Sequence, residues 1–204
     1  MDHNHFCMNS PIKIAIFASG NGTNMQAIAD YLAMNPGSGI RIALIVSDNP
    51  SAYVLERARG AGIPSRVLSP EERRDSGVFL GLLKEYGVRY IVLAGYLRRV
   101  PAFLVEAYRG RILNIHPALL PKHGGKGMYG DFVHSAVKAA GDRVTGITIH
   151  EADEEFDHGK VVFQAETEID PDGDSIEEIA RKVHLLEHRY YPTVIAEWIH
   201  SKEA

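Results

Sequence analysis

Two polar side chains with complementary chemistry, Asn114 and His116, interrupt an otherwise largely apolar stretch near the middle of the chain, residues 111–121. Residues two apart on a β-strand project from the same face, so a strand here places the amide and the imidazole side by side. Pro117 cannot donate a hydrogen bond to a neighbouring strand, so we predict that the strand ends at His116. An amide donor beside an imidazole at a strand's carboxyl end suits reactions in which a carbonyl oxygen gains negative charge.

A second candidate site is the small-residue loop Ser19-Gly20-Asn21-Gly22-Thr23-Asn24, which joins an apolar segment, residues 12–18, to a helical one, residues 25–34. Backbone N–H groups and the helix dipole at such a junction favour an anion. A dinucleotide fingerprint with Asp48 on the ribose is disfavoured, because Met25 stands where that pattern needs its third glycine. A monophosphate fits better, although a plain strand-to-helix turn explains the loop alone equally well.

Strand and helix patterns alternate along the chain and must position both candidate sites. Besides the strand that ends at His116, we predict further strands at residues 40–46, 65–68, 88–94, 144–150 and 160–169, and helices at 52–61, before Tyr86, at 101–108 and at 132–140. A last helix is predicted to start at Ser175, run to Glu187 or His188, bend before Pro192 and resume to Ile199. This order predicts one α/β domain at residues 12–200, with a mostly parallel twisted sheet, helices on both faces and an antiparallel C-terminal return. We expect residues 1–11 to be a disordered lead-in and the Asn114 strand to lie beside the first strand.

Composition restricts the class of protein. The 204 residues are 45% hydrophobic and 24% charged, as in soluble globular domains, and contain no apolar run long enough to span a membrane. Cys7 is the single cysteine, and the first residues lack the features of a signal peptide, so we expect a cytoplasmic protein without disulfides. The net charge of −4 argues against bulk nucleic-acid binding.

The motif Asn-x-His-Pro-x-Leu-Leu-Pro at residues 114–121 resembles the signature of the folate-dependent formyltransferases. The loop Ser-Gly-Asn-Gly-Thr-Asn is similar to the phosphate loop of those members that act on glycinamide ribonucleotide. The resemblance covers residues 12–198 and implies a single-domain, Rossmann-like formyltransferase fold. It also implies formyl transfer from the cosubstrate 10-formyltetrahydrofolate to the amine of glycinamide ribonucleotide, without a metal, by a monomer or homodimer.

Site roles follow from the same resemblance. The implied catalytic residues are Asn114 and His116, which face the developing oxyanion, and Asp157, which favours the charged imidazole and raises its pKa. The ribonucleotide is expected to contact Gly22, Thr23, Asn24, Pro117, His184 and Glu187. The folate is expected to contact Leu93, Leu97, Arg98, Arg99, Val100, Asn114, Asp153, Glu154, Glu155, Phe156 and Asp157.

The chain departs from the commoner family pattern in its glycine-rich segment, residues 122–130, where only His134 remains near the place of a second histidine pair. Phe156 replaces the usual leucine and Lys160 the usual proline on either side of the Asp157-His158-Gly159 segment. Solvated surface roles fit Arg98 and Arg99 as well as contacts with the folate tail do. A charged amphipathic helix face fits His184 and Glu187 equally well.

Three other classes of function are compatible with these residues, and the first comprises two relatives within the same family. A formyltetrahydrofolate deformylase shares the catalytic triplet, and methionyl-tRNA formyltransferase does too, but both usually carry an extra domain for which we expect no room here. A metal hydrolase would use His116, His123, His134 and Asp157, which lack tight ligand spacing. A non-catalytic protein that binds a nucleotide phosphate is the third alternative.

Overall fold

The computed structural model describes residues 10–204, so the expected lead-in lies almost wholly outside the described residues. The strands are β1 (Ile12–Phe17), β2 (Ile40–Ser47), β3 (Ser65–Val67), β4 (Tyr90–Leu93), β5 (Ile112–His116), β6 (Val144–Glu151) and β7 (Val161–Glu168). The helices are α1 (Thr23–Met34), α2 (Val54–Gly60), α3 (Ser76–Glu85), α4 (Ala102–Ala107), α5 (Asp131–Ala139) and α6 (Ile176–Glu203), with a 3₁₀ turn at Pro36–Ser38. The order of elements agrees with the prediction, and β5 ends at His116 as expected.

All the strands form one sheet in the order β3-β2-β1-β4-β5-β6-β7. The pairs from β3 to β5 are parallel, whereas β5–β6 and β6–β7 are antiparallel, so the predicted fold class is confirmed. The expected contact between β1 and β5 is wrong, because β4 lies between them and pairs with both. The chain builds outward from β1 to β3 and then returns to the other side of β1, which creates a switch point between β1 and β4.

Both faces of the central strands are buried, as β1 illustrates. Ile14 and Ile16 pack on the side of α1 and α6, whereas Ala15 and Phe17 pack on the side of α3 and α4. Successive side chains of a strand point to opposite faces, so a strand covered by helices on both sides needs a continuous apolar run. This requirement explains why residues 14–17 of the first strand are all apolar.

Helix α6 is continuous through Pro192, so the expected interruption of the helix before this residue is wrong. Pro192 removes one backbone hydrogen bond, but Tyr191, Ile195 and Trp198 on either side are buried in the core. Packing of this face outweighs the local cost, since tertiary contacts supply most of a helix's stability. The helix starts with a capping box formed by Ser175 and Glu178. Within residues 10–204, no helix combines the length and apolar character needed to cross a membrane.

Candidate active site

A cavity of about 520 Å³ opens where β1, β4 and β5 end. Its wall combines the glycine loop after β1, the segment after β4, the end of β5, the acidic segment after β6 and one face of α6. This volume is typical of small-molecule sites, and the position at the switch point is where open α/β sheets bind ligands. All the site residues predicted from the sequence line this one cavity: Gly22, Thr23, Asn24, Leu93, Leu97, Arg98, Arg99, Val100, Asn114, His116, Pro117, Asp153, Glu154, Glu155, Phe156, Asp157, His184 and Glu187.

The imidazole of His116 lies between a backbone carbonyl and a carboxylate. Its Nε2 is 2.8 Å from the carbonyl oxygen of His123, and its Nδ1 is 3.4 Å from Asp157 Oδ2. A carbonyl oxygen only accepts, so Nε2 carries a proton and Nδ1 is the nitrogen that can gain or lose one. Asp157 Oδ2 also accepts a hydrogen bond of 2.9 Å from the Gly125 backbone N–H, which fixes the carboxylate.

Burial controls the charge of this pair. His116 is only 3% exposed, and burial lowers its pKa below the ordinary value, although the Asp157 carboxylate and the His123 carbonyl both act to raise it. The expectation of a raised pKa is therefore wrong, because desolvation outweighs the neighbouring charge. Burial acts to raise the pKa of Asp157, but the neighbouring imidazoles and the Gly125 N–H hold it below its ordinary value. At neutral pH, a carboxylate therefore faces a neutral imidazole.

His150 belongs to the site but was missed by the sequence reasoning. The antiparallel register places it opposite Asn114, and it is 2% exposed. Its Nδ1 lies 3.1 Å from the Glu151 carbonyl oxygen, which only accepts, so this contact places a proton on Nδ1. Nε2 then accepts from Asn114 Nδ2 at 3.0 Å. This contact fixes the orientation of the amide and leaves its second N–H to donate elsewhere in the cavity.

The N-terminus of α1 forms another part of the wall. The helix starts at Thr23, and Gly22 precedes it in the left-handed conformation with φ of 78°. A Cβ at this position would lie 2.5 Å from Val54 Cγ2, so packing against α2 also requires glycine. The first turn contains no acidic residue, so the partial positive charge of the helix terminus is not neutralised locally.

A buried carboxylate closes the same end of the cavity. Glu187 is 4% exposed, and its Oε2 accepts from Asn24 Nδ2 at 3.0 Å and from His184 Nδ1 at 2.8 Å. The hydrogen bond to Glu187 raises the pKa of His184. Asn24 Oδ1 and His134 Nδ1 have no hydrogen-bond partner within residues 10–204. Because buried polar atoms are normally paired, these two atoms are candidates for contacts with a ligand.

Several side chains at the other end of the cavity are already engaged. Arg98 Nε lies 2.6 Å from Asp48 Oδ2, and the other carboxylate oxygen of Asp48 accepts from Ser19 Oγ. Both carboxylate oxygens of Asp48 are therefore engaged by side chains of the protein. This agrees with the sequence analysis, which disfavours a dinucleotide fingerprint with Asp48 on the ribose. Arg99 Nη2 donates to the Glu154 carbonyl oxygen at 2.7 Å and so holds the acidic segment.

The four ligands proposed for a metal hydrolase do not converge. The side chain of His123 lies outside the cavity wall, with its Nε2 2.7 Å from Asp142 Oδ2. In the described part of the chain, no three His, Cys, Asp or Glu side chains are grouped so that they could hold a metal ion. The geometry therefore does not favour this alternative.

Comparison with known proteins agrees with the site. The formyl transferase family matches residues 12–195. Phosphoribosylglycinamide formyltransferase of Bacillus subtilis is 40% identical over 187 residues, which are 90% of this chain and 92% of that protein. The chloroplastic phosphoribosylglycinamide formyltransferase of Arabidopsis thaliana is 39% identical, but the chain spans only 64% of its length. The crystal structure of glycinamide ribonucleotide transformylase 1 from Geobacillus kaustophilus superposes with a TM-score of 0.81 at 40% identity, covering 92% of this chain and 98% of that one. The family expected from the sequence is confirmed, and the chain belongs to the formyl transferase family.

Proposed function

We propose that this protein transfers the formyl group of 10-formyltetrahydrofolate to the amine of glycinamide ribonucleotide, a step of purine synthesis. The observation that carries the proposal is the position of Asn114, His116 and Asp157 in one cavity, between a helix N-terminus that favours an anion and a partly apolar pocket. The names of the relatives support the same activity. The proposal is for a cytoplasmic enzyme, monomeric or homodimeric, that binds neither nucleic acid nor membranes.

The ribonucleotide is assigned to the end of the cavity formed by α1 and α6. Backbone N–H groups at Gly22, Thr23 and Asn24 would bind the phosphate, because the first helical N–H groups have no partner inside the helix. The side chain of Asn24 is held by Glu187, so its contribution to the phosphate would come from the backbone. Glu187 and the two unpaired atoms, Asn24 Oδ1 and His134 Nδ1, would accept from or donate to the hydroxyl and amide groups of the substrate.

The folate is assigned to the end formed by the segments after β4 and β6. Leu93, Leu97, Val100 and Phe156 give this part of the wall an apolar surface that fits a planar ring system, and the neighbouring backbone can supply hydrogen bonds. When bound there as cosubstrate, 10-formyltetrahydrofolate supplies the formyl group. Arg99 lies in the same wall and holds the acidic segment through the Glu154 carbonyl.

The reaction forms a bond between the amine nitrogen and the formyl carbon, breaks the carbon–nitrogen bond to the folate and moves one proton between the two nitrogens. The second N–H of Asn114 would donate to the formyl oxygen as it gains negative charge. His116 Nδ1 is unprotonated at neutral pH and lies beside the Asp157 carboxylate, so it can accept the proton of the amine. The resulting imidazolium would stabilise the oxyanion and then return the proton to the leaving nitrogen.

The test is incubation with 10-formyltetrahydrofolate and three acceptors in turn: glycinamide ribonucleotide, water and methionyl-tRNA. We expect rapid formylation of the ribonucleotide only. His116→Ala should abolish turnover, whereas His158→Ala should not, because that imidazole is 73% exposed and lies outside the cavity wall. Release of formate in water at an equal or higher rate would assign a deformylase instead, and binding without turnover would indicate a non-catalytic nucleotide-binding protein.

A further inference from the structure

A pair of side chains outside the cavity holds the backbone that contacts His116. The Nε2 of His123 lies 2.7 Å from Asp142 Oδ2, and Lys122 Nζ lies 2.9 Å from Asp142 Oδ1. Asp142 belongs to the connection between α5 and β6, so the contact joins two separate parts of the chain. Neither Asp142 nor the His123 side chain lines the cavity.

The backbone of His123 needs such support. Its φ of 54° lies in the left-handed region, which is unfavourable for a residue with a side chain. The carbonyl of this strained residue is the one that accepts from His116 Nε2 at 2.8 Å. Two residues further on, the Gly125 N–H donates to Asp157 Oδ2. The segment 123–125 therefore contacts both members of the His116–Asp157 pair. The hydrogen bond between the His123 side chain and Asp142 anchors this segment from outside the cavity.

We propose that His123 and Asp142 are positioning residues for the active site. Their hydrogen bond holds the His123 carbonyl in place, and this carbonyl keeps the proton of His116 on Nε2. Nδ1 is thereby left free beside Asp157, and both residues line the cavity. Without the anchor, the segment can relax from the left-handed conformation, and His116 loses the acceptor that selects its tautomer. The catalytic consequence rests on the proposed function, whereas the effect on the tautomer does not.

The critical variants separate the anchor from the other influences on His116. Asp157, His150, Glu187 and His134 are the titratable groups that act on its imidazole, and all of them remain unchanged. Asp142→Ala removes the acceptor of the anchor, whereas Asp142→Asn retains an oxygen that can accept from His123 Nε2. His123→Asn tolerates the left-handed backbone but is too short to keep the contact.

The measurement is NMR of the labelled His116 imidazole in the free enzyme, followed by steady-state kinetics. In Asp142→Ala and His123→Asn, we expect a mixture of His116 tautomers and a shifted His116 pKa. We expect kcat to fall about 10–100-fold, by analogy with the loss found when a partner that orients a metal-ligating histidine is removed, with little change in KM. Asp142→Asn should restore the parental tautomer and most of the turnover.

Asp174→Ala is a matched control. Asp174 also pairs with a lysine, at 2.5 Å from Lys182 Nζ, and its side chain is 17% exposed against 18% for Asp142, but it does not line the cavity or contact the segment around His123. An unchanged His116 tautomer and pKa in both Asp142→Ala and His123→Asn would overturn the proposal. A change of equal size in Asp174→Ala would do the same. Because the spectrum is recorded without substrate, a parent enzyme without formyl transfer would refute the proposed function and leave this result valid.

Discussion

Replacing Gly22 with alanine tests the physical basis of the turn that leads into α1. The new Cβ would lie 2.5 Å from Val54 Cγ2 and 2.9 Å from Val54 Cα, and φ at this position is 78°. The left-handed backbone costs a residue with a side chain about 1–2 kcal/mol. Overpacking typically costs about 1–3 kcal/mol, and here the backbone of Val54 cannot move away by a simple rotamer change. We therefore expect the variant to lose about 2–5 kcal/mol of its free energy of unfolding.

Urea unfolding of three alanine variants separates these contributions. Gly39 has φ of 65°, but a Cβ added there would have no heavy atom within 4 Å, so Gly39→Ala should lose only the strain of about 1–2 kcal/mol. Gly20 has neither a positive φ nor a neighbour within 4 Å of an added Cβ, so Gly20→Ala should be neutral or stabilising by up to about 1 kcal/mol. In a double-mutant cycle, Gly22→Ala should cost less in a Val54→Ala background than in the parent, since Cγ2 is removed but Cβ and Cα remain.

A loss in Gly22→Ala no larger than that in Gly39→Ala would refute the packing argument. It would mean that α2 moves away from the turn at little cost. The need for glycine at position 22 would then lie in the left-handed backbone and in the approach of a ligand to the loop.

Three further predictions concern the active site and its support. Asp157→Asn should reduce turnover about 10²–10⁴-fold with little change in KM. The substitution should also lower the pKa of His116 further, because the Asp157 carboxylate acts to raise that pKa. An unchanged titration of His116 by NMR would contradict this role of Asp157. Glu187 raises the pKa of His184 above its unfolded value, so the stabilisation from this pair is present below the unfolded pKa and is lost as the pH rises through the folded pKa. Glu187→Gln should therefore lose more stability at about pH 5.5 than at about pH 8.5 in urea unfolding, and equal losses would argue against the pair. Tyr191→Phe should cost about 0.5–1.5 kcal/mol by the same method, because the buried hydroxyl contacts carbonyl oxygens of β4 and β5 at 2.9 and 3.2 Å; a neutral substitution would show that these contacts contribute nothing.

Features that depend on near neighbours in the chain could be predicted from the sequence alone. The spacing of Asn114 and His116 places them on the same side of β5, and Pro117 ends the strand directly after them. The small residues after β1 form a turn into a helix for an equally local reason. The motifs that carry the family resemblance are also contiguous, which is why every predicted site residue lines the cavity.

Features that depend on distant contacts became visible only in the folded chain. His150 faces Asn114 because of an antiparallel register, which no local pattern of either strand specifies. The position of β4 between β1 and β5 depends on how the crossovers connect, and the continuity of α6 through Pro192 depends on the core beneath it.

The charge of His116 shows most clearly how the prediction from neighbouring residues differs from the result of the folded structure. An aspartate near a histidine predicts a raised pKa, and the Asp157 carboxylate does act in that direction. The opposing effect of burial comes from the whole surrounding structure and is larger. The sequence therefore predicted the candidate catalytic groups, whereas the three-dimensional packing determines which of them carries the proton at rest.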